Sequence, residues 1–225
     1  MPDPEESSST ADERSFTVIA IDGPAGSGKS TVGRALAAVL GLDYLDTGAM
    51  YRGVTFAALR RNIDPVDADV VGRLAQQVDL DVQDTQIIVD GVDATIEIRG
   101  PEVTRAVSAV AANPAVRTEL VRRQREWAEA HDGGVLEGRD IGSVVFPDAD
   151  LKVYLTASPE IRAQRRAKEV TDLDYETVAA DIARRDAADQ GRDDSPLALA
   201  EGAVVVDTSH RDVGDIVADL VARLP

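Results

Sequence analysis

The stretch that decides the fold runs Phe16-Thr17-Val18-Ile19-Ala20-Ile21-Asp22-Gly23-Pro24-Ala25-Gly26-Ser27-Gly28-Lys29-Ser30. Its first six residues are mostly apolar and predict a short buried strand. A glycine-rich turn follows, and then an amphipathic segment, residues 30–40, that ends at Gly41 and predicts a helix. Residues 23–30 fit the pattern GxxxxGK[ST] between a strand and a helix, which is the context that this pattern needs. The stretch therefore predicts a phosphate-binding loop, or P-loop, at the start of a parallel α/β sheet.

The chemistry of such a loop follows from its residue types. Glycines permit positive φ, so that successive N–H groups and the positive end of the following helix dipole point at phosphate oxygens. Lys29 is expected to reach the β and γ phosphates of a nucleotide, and Ser30 to ligate Mg²⁺. The predicted ATP-binding residues are Gly23, Pro24, Ala25, Gly26, Ser27, Gly28, Lys29, Ser30 and Thr31.

Further along the chain, short apolar segments alternate with helical patterns. Strands are predicted at Tyr44-Leu45, Val135-Leu136, 152–155 and 203–206, and helices at 49–61, 117–129 and after an Asp212 cap. The arginines of the 117–129 helix are expected on a solvated face. Residues 80–99 alternate in polarity and predict a small antiparallel β insertion that turns at Asp90-Gly91 and includes a strand over 95–98.

Composition sets the class of protein. The 225 residues are 44% hydrophobic, which suits one compact domain, and we expect it to span residues 15–225 behind a disordered acidic tail, residues 1–14. A net charge of −17 argues against a nucleic-acid surface. No apolar run of about 20 residues and no leader-like N-terminus are present, so we expect a soluble, cytoplasmic protein with no membrane contact. We expect a monomer.

Cysteine is absent and the two histidines are far apart, which excludes thiolate zinc sites and a cysteine nucleophile. Any metal is therefore expected to be a hard, oxygen-ligated ion such as Mg²⁺. The chain has no Asn-Lys-x-Asp segment to read guanine and no apolar run ending in Asp-Glu. A kinase of small molecules is thus favoured over a GTPase or an ATP-driven motor.

Two further segments suit a second phosphate group. Asp46-Thr47-Gly48-Ala49-Met50-Tyr51-Arg52 places a hydroxyl and a guanidinium at the start of a predicted helix. The segment Glu137-Gly138-Arg139-Asp140-Ile141-Gly142 follows a predicted strand, so it lies at the sheet edge where open α/β sheets bind ligands. Alone, the first segment is better explained by a plain helix cap followed by a surface arginine. For Asp140, the alternative is a partner that only orients Arg139.

Taken together, the P-loop, the DTGAMYR segment, the β insertion, EGRDIG-VVFPDA, SPEIRAQRR and ARRDAADQGRDDSPL resemble bacterial cytidylate kinases from about Val18 onwards. The resemblance implies the three-layer P-loop NTPase fold with a central parallel sheet. It also implies a nucleoside-monophosphate-binding insertion at about 72–110 and a short helical lid at about 160–174. The implied reaction moves the γ-phosphoryl group of ATP to CMP, and to dCMP as well.

Site residues are implied position by position. The acceptor phosphate is held in the family by residues matching Thr47, Arg52 and Arg139, and the cytosine by those matching Ser108, Arg117 and Asp140. Arg185 and Asp189 match ribose contacts, and Arg192 a phosphate contact. The complete CMP set is Thr47, Arg52, Ser108, Arg117, Arg139, Asp140, Arg185 and Asp189, and the catalytic set is Lys29, Arg139, Arg192, Arg162 and Arg166. The chain departs from the family in having Glu137 before the GRD segment, and in its short, acidic lid, residues 168–174.

Two other functions stay open at the level of the residues. One is a P-loop kinase for a different acceptor, such as UMP or a hydroxylated metabolite. The other is a non-catalytic ATP-binding switch, against which a second phosphate site argues because a switch has no need of one.

Overall fold

The computed structural model describes residues 16–169, 175–191 and 197–224. The main sheet has five parallel strands in the order β2-β6-β1-β7-β8. Their bounds are β1 Thr17–Asp22, β2 Tyr44–Asp46, β6 Gly133–Gly138, β7 Leu151–Thr156 and β8 Val204–Asp207. The acidic tail predicted at 1–14 lies outside the described residues.

Helices cover both faces of this sheet. They are α1 Lys29–Leu40, α2 Thr47–Arg60, α3 Ala68–Gln77, α4 Pro101–Ala112, α5 Pro114–Ala130, α6 Pro159–Glu169, α7 Tyr175–Gln190 and α8 Val213–Val221. Strand β1 separates two cores, because Val18 and Ala20 pack among α2, α3 and α5 while Ile19 and Ile21 pack among α1 and α8. The predicted α/β fold with a central parallel sheet between two helical layers is confirmed.

The boundaries reflect local chemistry. The predicted helix 30–40 is present as α1 and ends at Gly41, whose φ of 68° suits a left-handed cap. Helix α2 begins after Asp46, whose side chain accepts from the Ala49 N–H at 3.1 Å. Asp212 precedes α8 as predicted, but its side chain makes no capping hydrogen bond.

The antiparallel insertion is present and smaller than predicted. It comprises β3 Leu80–Val82, β4 Ile87–Val89 and β5 Val92–Asp93, and it turns at Asp90-Gly91 as predicted. The strand predicted over 95–98 is wrong, because a 3₁₀ turn occupies Glu97–Arg99. The Thr95 hydroxyl donates to Asp93 at 2.6 Å and accepts from the Ile87 N–H, which ends the ladder there.

The prediction of a solvated arginine face on α5 is also wrong in part. Arg117 is 3% exposed, and Arg123 donates to the carbonyls of Ala75 and Val78 at the end of α3. Carbonyls at a helix end lack partners within the helix, so a neighbouring guanidinium is well placed to bind them. Among the described residues, no helix is both long enough and apolar enough to cross a membrane.

Candidate active site

A cavity of about 1080 Å³ opens at the carboxyl edge of the main sheet. Its walls come from the P-loop and from α2, α4, α6 and α7. The predicted site residues that line it are Ala25, Gly26, Gly28, Lys29, Ser30, Thr31, Thr47, Arg52, Ser108, Arg117, Arg139, Asp140, Arg166, Arg185 and Asp189. Gly23, Pro24, Ser27 and Arg162 lie behind this lining. Arg192 falls outside the described residues, so its predicted role stays a prediction.

The P-loop has the backbone that a phosphate cradle requires. Gly23, Gly26 and Gly28 have φ values of 149°, 74° and 87°, a region that side chains other than glycine rarely adopt. A Cβ on Gly23 would lie 2.1 Å from the carbonyl oxygen of Leu155. Gly28 caps α1, so the helix N-terminus and the loop N–H groups face the cavity together.

Lys29 lies inside this cradle. Its ammonium donates to the carbonyl of Pro24 at 2.9 Å, across the loop. Removal from water, and then the nearby Arg139 guanidinium, lowers the pKa of Lys29 to about 7. A bound phosphate would oppose both effects, because it returns a negative charge to the ammonium.

Next to Lys29, Ser30 contacts a buried carboxylate. The Ser30 hydroxyl donates to Glu137 Oε1 at 2.6 Å, and the Tyr44 hydroxyl donates to the same oxygen at 2.5 Å. Glu137 is 3% exposed, and among the described residues its other oxygen, Oε2, has no hydrogen-bond partner. Burial, together with the Asp46 carboxylate, raises the pKa of Glu137.

Across the cavity lies a group of cations. Arg52 is 7% exposed and donates to the carbonyl of Ile98 at 2.8 Å and to the Thr104 hydroxyl at 3.0 Å. Burial, and then the guanidinium groups of Arg185 and Arg166, lowers the pKa of Arg52 to about 9. Like charges held this close favour an anion between them.

Thr47 and Arg139 stand beside this group. The Thr47 hydroxyl donates to the carbonyl of Glu137 at 2.6 Å, so it must rotate before it can donate to a phosphate. Arg139 donates to the carbonyl of Gly23 at 2.8 Å and forms an ion pair with Asp189 at 2.7 Å. Arg139 thus lies between the P-loop and the acceptor side of the cavity.

Asp140 pairs with Arg117 rather than with its neighbour Arg139. Both side chains are buried, at 5% and 3% exposure, and the Arg117 guanidinium carbon lies 5.9 Å from the centre of the Tyr51 ring. Both roles considered for Asp140, contact with the base and orientation of Arg139, stay predictions. Ser108, on α4, lines the same end of the cavity.

Arginines of α6, in the segment predicted to form a lid, contact the P-loop. Arg162 forms an ion pair with Asp186 of α7 and donates to the carbonyl of Ala25 at 3.2 Å. Arg165 donates to the Thr208 hydroxyl at 2.8 Å and to the carbonyl of Gly26 at 3.3 Å. Arg166, which was predicted to be catalytic, lines the cavity, and Arg165 lines it as well.

Sequence reasoning missed several of these residues. Arg165 could not be separated from its neighbours, because a run of arginines on one helix does not show which of them reaches the loop. Glu137 did carry a signal, since it directly follows the predicted strand Val135-Leu136; it lies one residue before the end of β6, in register with Ile21 of the P-loop strand. Tyr44 and Asp22 carried none, because their partners are distant in sequence.

Comparisons with known proteins identify relatives of this chain. The sequence pattern of one family, described as cytidylate kinase, matches residues 19–225. A cytidylate kinase of Mycolicibacterium paratuberculosis is 53% identical over 221 residues, covering 93% of this chain and 96% of that protein. One from Caldanaerobacter subterraneus subsp. tengcongensis is 46% identical over 203 residues, covering 88% and 90%.

Among solved structures, an uncharacterized protein from Eubacterium ventriosum superposes with a TM-score of 0.53 at 11% identity, covering 92% of this chain and 96% of that one. That similarity bears on the fold alone. The match to the family pattern and the relatives near 50% identity extend over nearly the whole chain. This chain therefore belongs to the cytidylate kinase family.

Proposed function

We propose that this protein transfers the γ-phosphoryl group of ATP to CMP, giving ADP and CDP, and that dCMP is accepted as well. One observation carries the proposal: a single cavity joins the P-loop around Lys29 to a cluster of arginines and to the buried Asp140–Arg117 pair. A donor phosphate, an acceptor phosphate and a base can then be held within one enclosure. Membership of the cytidylate kinase family supports this assignment.

The donor side suits the phosphates of ATP. The N-terminus of α1, capped by Gly28, and Lys29, whose ammonium reaches across the loop to the Pro24 carbonyl, line the same cavity. Arg162 and Arg165 approach the same loop from the lid helix. Arg166, which lines the cavity, is assigned with them to the negative charge that the transferred group spreads over its oxygens.

Ser30 and Glu137 are the residues that would hold Mg²⁺. A buried carboxylate oxygen that lacks a partner among the described residues, next to a serine hydroxyl, is a donor set that a hard cation prefers. When bound, the ion supplies charge that neutralises the β and γ phosphates. Ser30 would hold it directly or through water, and Tyr44 keeps the Glu137 carboxylate in place.

The acceptor side suits CMP. Arg52 and Arg139 are assigned to its phosphate, with Thr47 after rotation of its hydroxyl and with Arg192. The Watson–Crick edge of cytosine has an amino donor next to two acceptors, which a carboxylate and a guanidinium match. Asp140, Arg117 and Ser108 are therefore assigned to the base. Uracil places an oxygen where cytosine has its amino group, so it would face the Asp140 carboxylate.

The ribose contacts require an exchange of partners. In this structure the Asp189 carboxylate accepts a hydrogen bond from Arg139. In the assigned role, Asp189 and Arg185 bind the ribose hydroxyls instead. A bound phosphate would give Arg139 another anionic partner. CMP binding and the release of Asp189 would then occur together.

Transfer needs alignment more than it needs a base. The acceptor is an anionic phosphate, so no proton has to leave before it attacks the γ phosphorus. Lys29 holds the donor, and Arg139 lies between donor and acceptor, where charge develops during transfer. Closure of the insertion and lid over both substrates excludes water and so limits hydrolysis of ATP.

The test is an assay of ADP release with CMP, dCMP, UMP, AMP and shikimate as acceptors. Turnover is expected with CMP and dCMP, and far less with the other three. Lys29→Met is the control, which should fold and lose transfer. Equal turnover with shikimate or AMP, or ADP release that does not depend on an acceptor, would overturn the proposal.

A further inference from the structure

Asp22 is a buried carboxylate that none of the assignments above uses. It is the last residue of β1 and immediately precedes Gly23 of the P-loop. Its partner in the neighbouring strand β6 is Gly138, directly before Arg139. Asp22 thus lies where the donor loop and the acceptor segment leave the sheet side by side, and it is 3% exposed.

Each carboxylate oxygen of Asp22 accepts one backbone N–H. Oδ1 accepts from Ile141 and Oδ2 from Gly142, both at 2.8 Å. These two N–H groups open a five-residue π-helical turn, Ile141–Val145, and the first N–H groups of a helical turn lack partners within it. The carboxylate therefore fixes the start of the turn that follows Arg139 and Asp140.

The two residues directly before this turn, Arg139 and Asp140, are assigned to the acceptor. Arg139 is held at its guanidinium by the Gly23 carbonyl, one residue from Asp22. Asp140 has unusual backbone angles, φ −149° and ψ 24°, directly before the turn. A shift of the turn would move the Arg139 guanidinium away from the P-loop and the Asp140 carboxylate away from Arg117.

We propose that Asp22 is a positioning residue for phosphoryl transfer: by holding the N–H groups of Ile141 and Gly142, it sets the spacing between the P-loop and the Arg139–Asp140 acceptor segment. It acts through these neighbours and does not touch the substrates. The inference rests on the proposed function, since it assigns a role within that reaction.

A carboxylate is the side chain that suits this role. It presents two acceptor oxygens to two N–H groups, whereas the amide of asparagine presents one oxygen and one NH₂ group that faces a donor. Burial raises the pKa of Asp22 to about 6, against the opposing effect of the Ile141 and Gly142 hydrogen bonds. That value also includes a smaller rise caused by the Asp140 carboxylate and a smaller decrease caused by Lys29, while Tyr154 faces Asp22 from β7.

The experiment compares Asp22→Asn and Asp22→Glu with the wild type in the CMP assay. Both variants are expected to fold, and kcat should fall by about tenfold to a hundredfold because the reacting groups are displaced. The KM for ATP should stay unchanged, since the P-loop itself is intact. In the Asn variant, the amide protons of Ile141 and Gly142 should exchange faster with solvent.

Asp150→Asn is the matched control. The Asp150 carboxylate also accepts a backbone N–H of β1, that of Val18 at 2.8 Å, but at the opposite end of the strand. This variant should lose stability and keep kcat at temperatures where it is folded. If Asp22→Asn behaves in the same way, with a normal kcat, Asp22 has only a structural role.

The remaining outcomes are also decisive. If Asp22→Asn does not fold, Asp22→Glu carries the test, because it keeps the charge and shifts its position. A normal kcat in the folded variant overturns the inference. A higher KM for ATP with an unchanged kcat overturns it as well. If the wild type itself fails to phosphorylate CMP, the proposed function is wrong. That outcome is independent of the results for the variants.

Discussion

The discrimination between cytosine and uracil is assigned to one carboxylate, that of Asp140. Asp140→Asn should lower the kcat/KM ratio of CMP to UMP by about tenfold to a hundredfold, because the amide can donate to the uracil oxygen and no longer repels it. The measurement is initial rates with each acceptor at saturating ATP. Asn is preferred to Ala because Ala would leave the buried Arg117 without this partner.

Glu119→Gln on α5 is the control for Asp140, since Glu119 pairs with Arg122 and Arg123, away from the cavity. It should leave the CMP to UMP ratio unchanged. Equal losses with both acceptors in Asp140→Asn would mean that Asp140 only supports the structure around Arg117.

Glu137 is the residue on which the metal assignment depends. Glu137→Gln should raise the Mg²⁺ concentration needed for half-maximal activity by about tenfold or more, because an amide replaces a negatively charged ligand. Titration of Mg²⁺ at fixed ATP and CMP measures this. Tyr44→Phe removes only the hydroxyl that holds the carboxylate and should have a smaller effect. If the Mg²⁺ dependence of Glu137→Gln equals that of the wild type, Glu137 does not hold the ion.

Asp22 should make the stability of the fold depend on pH in an unusual direction. Its pKa rises from 3.8 in the unfolded chain to about 6 in the fold, which corresponds to about 3 kcal/mol. Between these values the folded state binds more protons than the unfolded state, so the free energy of unfolding falls as pH rises from about 4 to 6. This part of the stability is present at low pH and lost above pH 6.

Urea denaturation of the wild type and Asp22→Asn at several pH values isolates this effect, because the other carboxyl groups titrate alike in both proteins. The free energy of unfolding of the variant minus that of the wild type should grow by up to about 3 kcal/mol between pH 4 and pH 6. The lost hydrogen bond adds an offset that does not change with pH. A difference that is constant over this range would show that the pKa of Asp22 is not raised.

At the scale of elements, the turn between β1 and α1 is the part of the fold that the sequence predicts best. Its glycines, the strand before it and the Gly41 cap all act within about 25 residues of one another, so local rules suffice. The predicted strand over 95–98, in contrast, was wrong. Alternating polarity did not reveal the bond from Thr95 to Asp93 that ends the ladder, and Ile96 is 82% exposed.

Gly23 tests how strict this turn is. Gly23→Ala should lower the free energy of unfolding by at least about 2 kcal/mol, because of its φ of 149° and because a Cβ would lie 2.1 Å from the Leu155 carbonyl oxygen. Gly214→Ala in α8 meets nothing within 4 Å and should be neutral or stabilising by up to about 1 kcal/mol. Urea denaturation measures both. Equal stabilities of the two variants would mean that the loop relaxes around the new side chain.

At the scale of the whole molecule, the sequence predicted which segments form the site, and the structure added how they are connected. The P-loop and the Arg139–Asp140 segment were identified as motifs of residue types. Three sets of contacts join residues between 23 and 120 positions apart. They are the pair of Asp140 and Arg117, the contact of Ser30 with Glu137, and the bonds that Asp22 accepts from Ile141 and Gly142. No local pattern encodes such contacts, because they depend on which strands become neighbours in the sheet.

The insertion and the lid are the parts predicted to move when both substrates bind. The strands β3, β4 and β5 have only two or three residues each, and Arg34 of α1 joins their turn through Asp84 at 2.7 Å. Ladders as short as these open more easily than the five-stranded main sheet. Addition of CMP with a non-hydrolysable ATP analogue should therefore slow amide hydrogen exchange in residues 80–93 and 159–169 more than in β1 or β6. Hydrogen exchange read by mass spectrometry measures this, with each ligand alone as the control. Protection confined to the P-loop, or equal protection throughout the chain, would show that substrates bind without closure of these two segments.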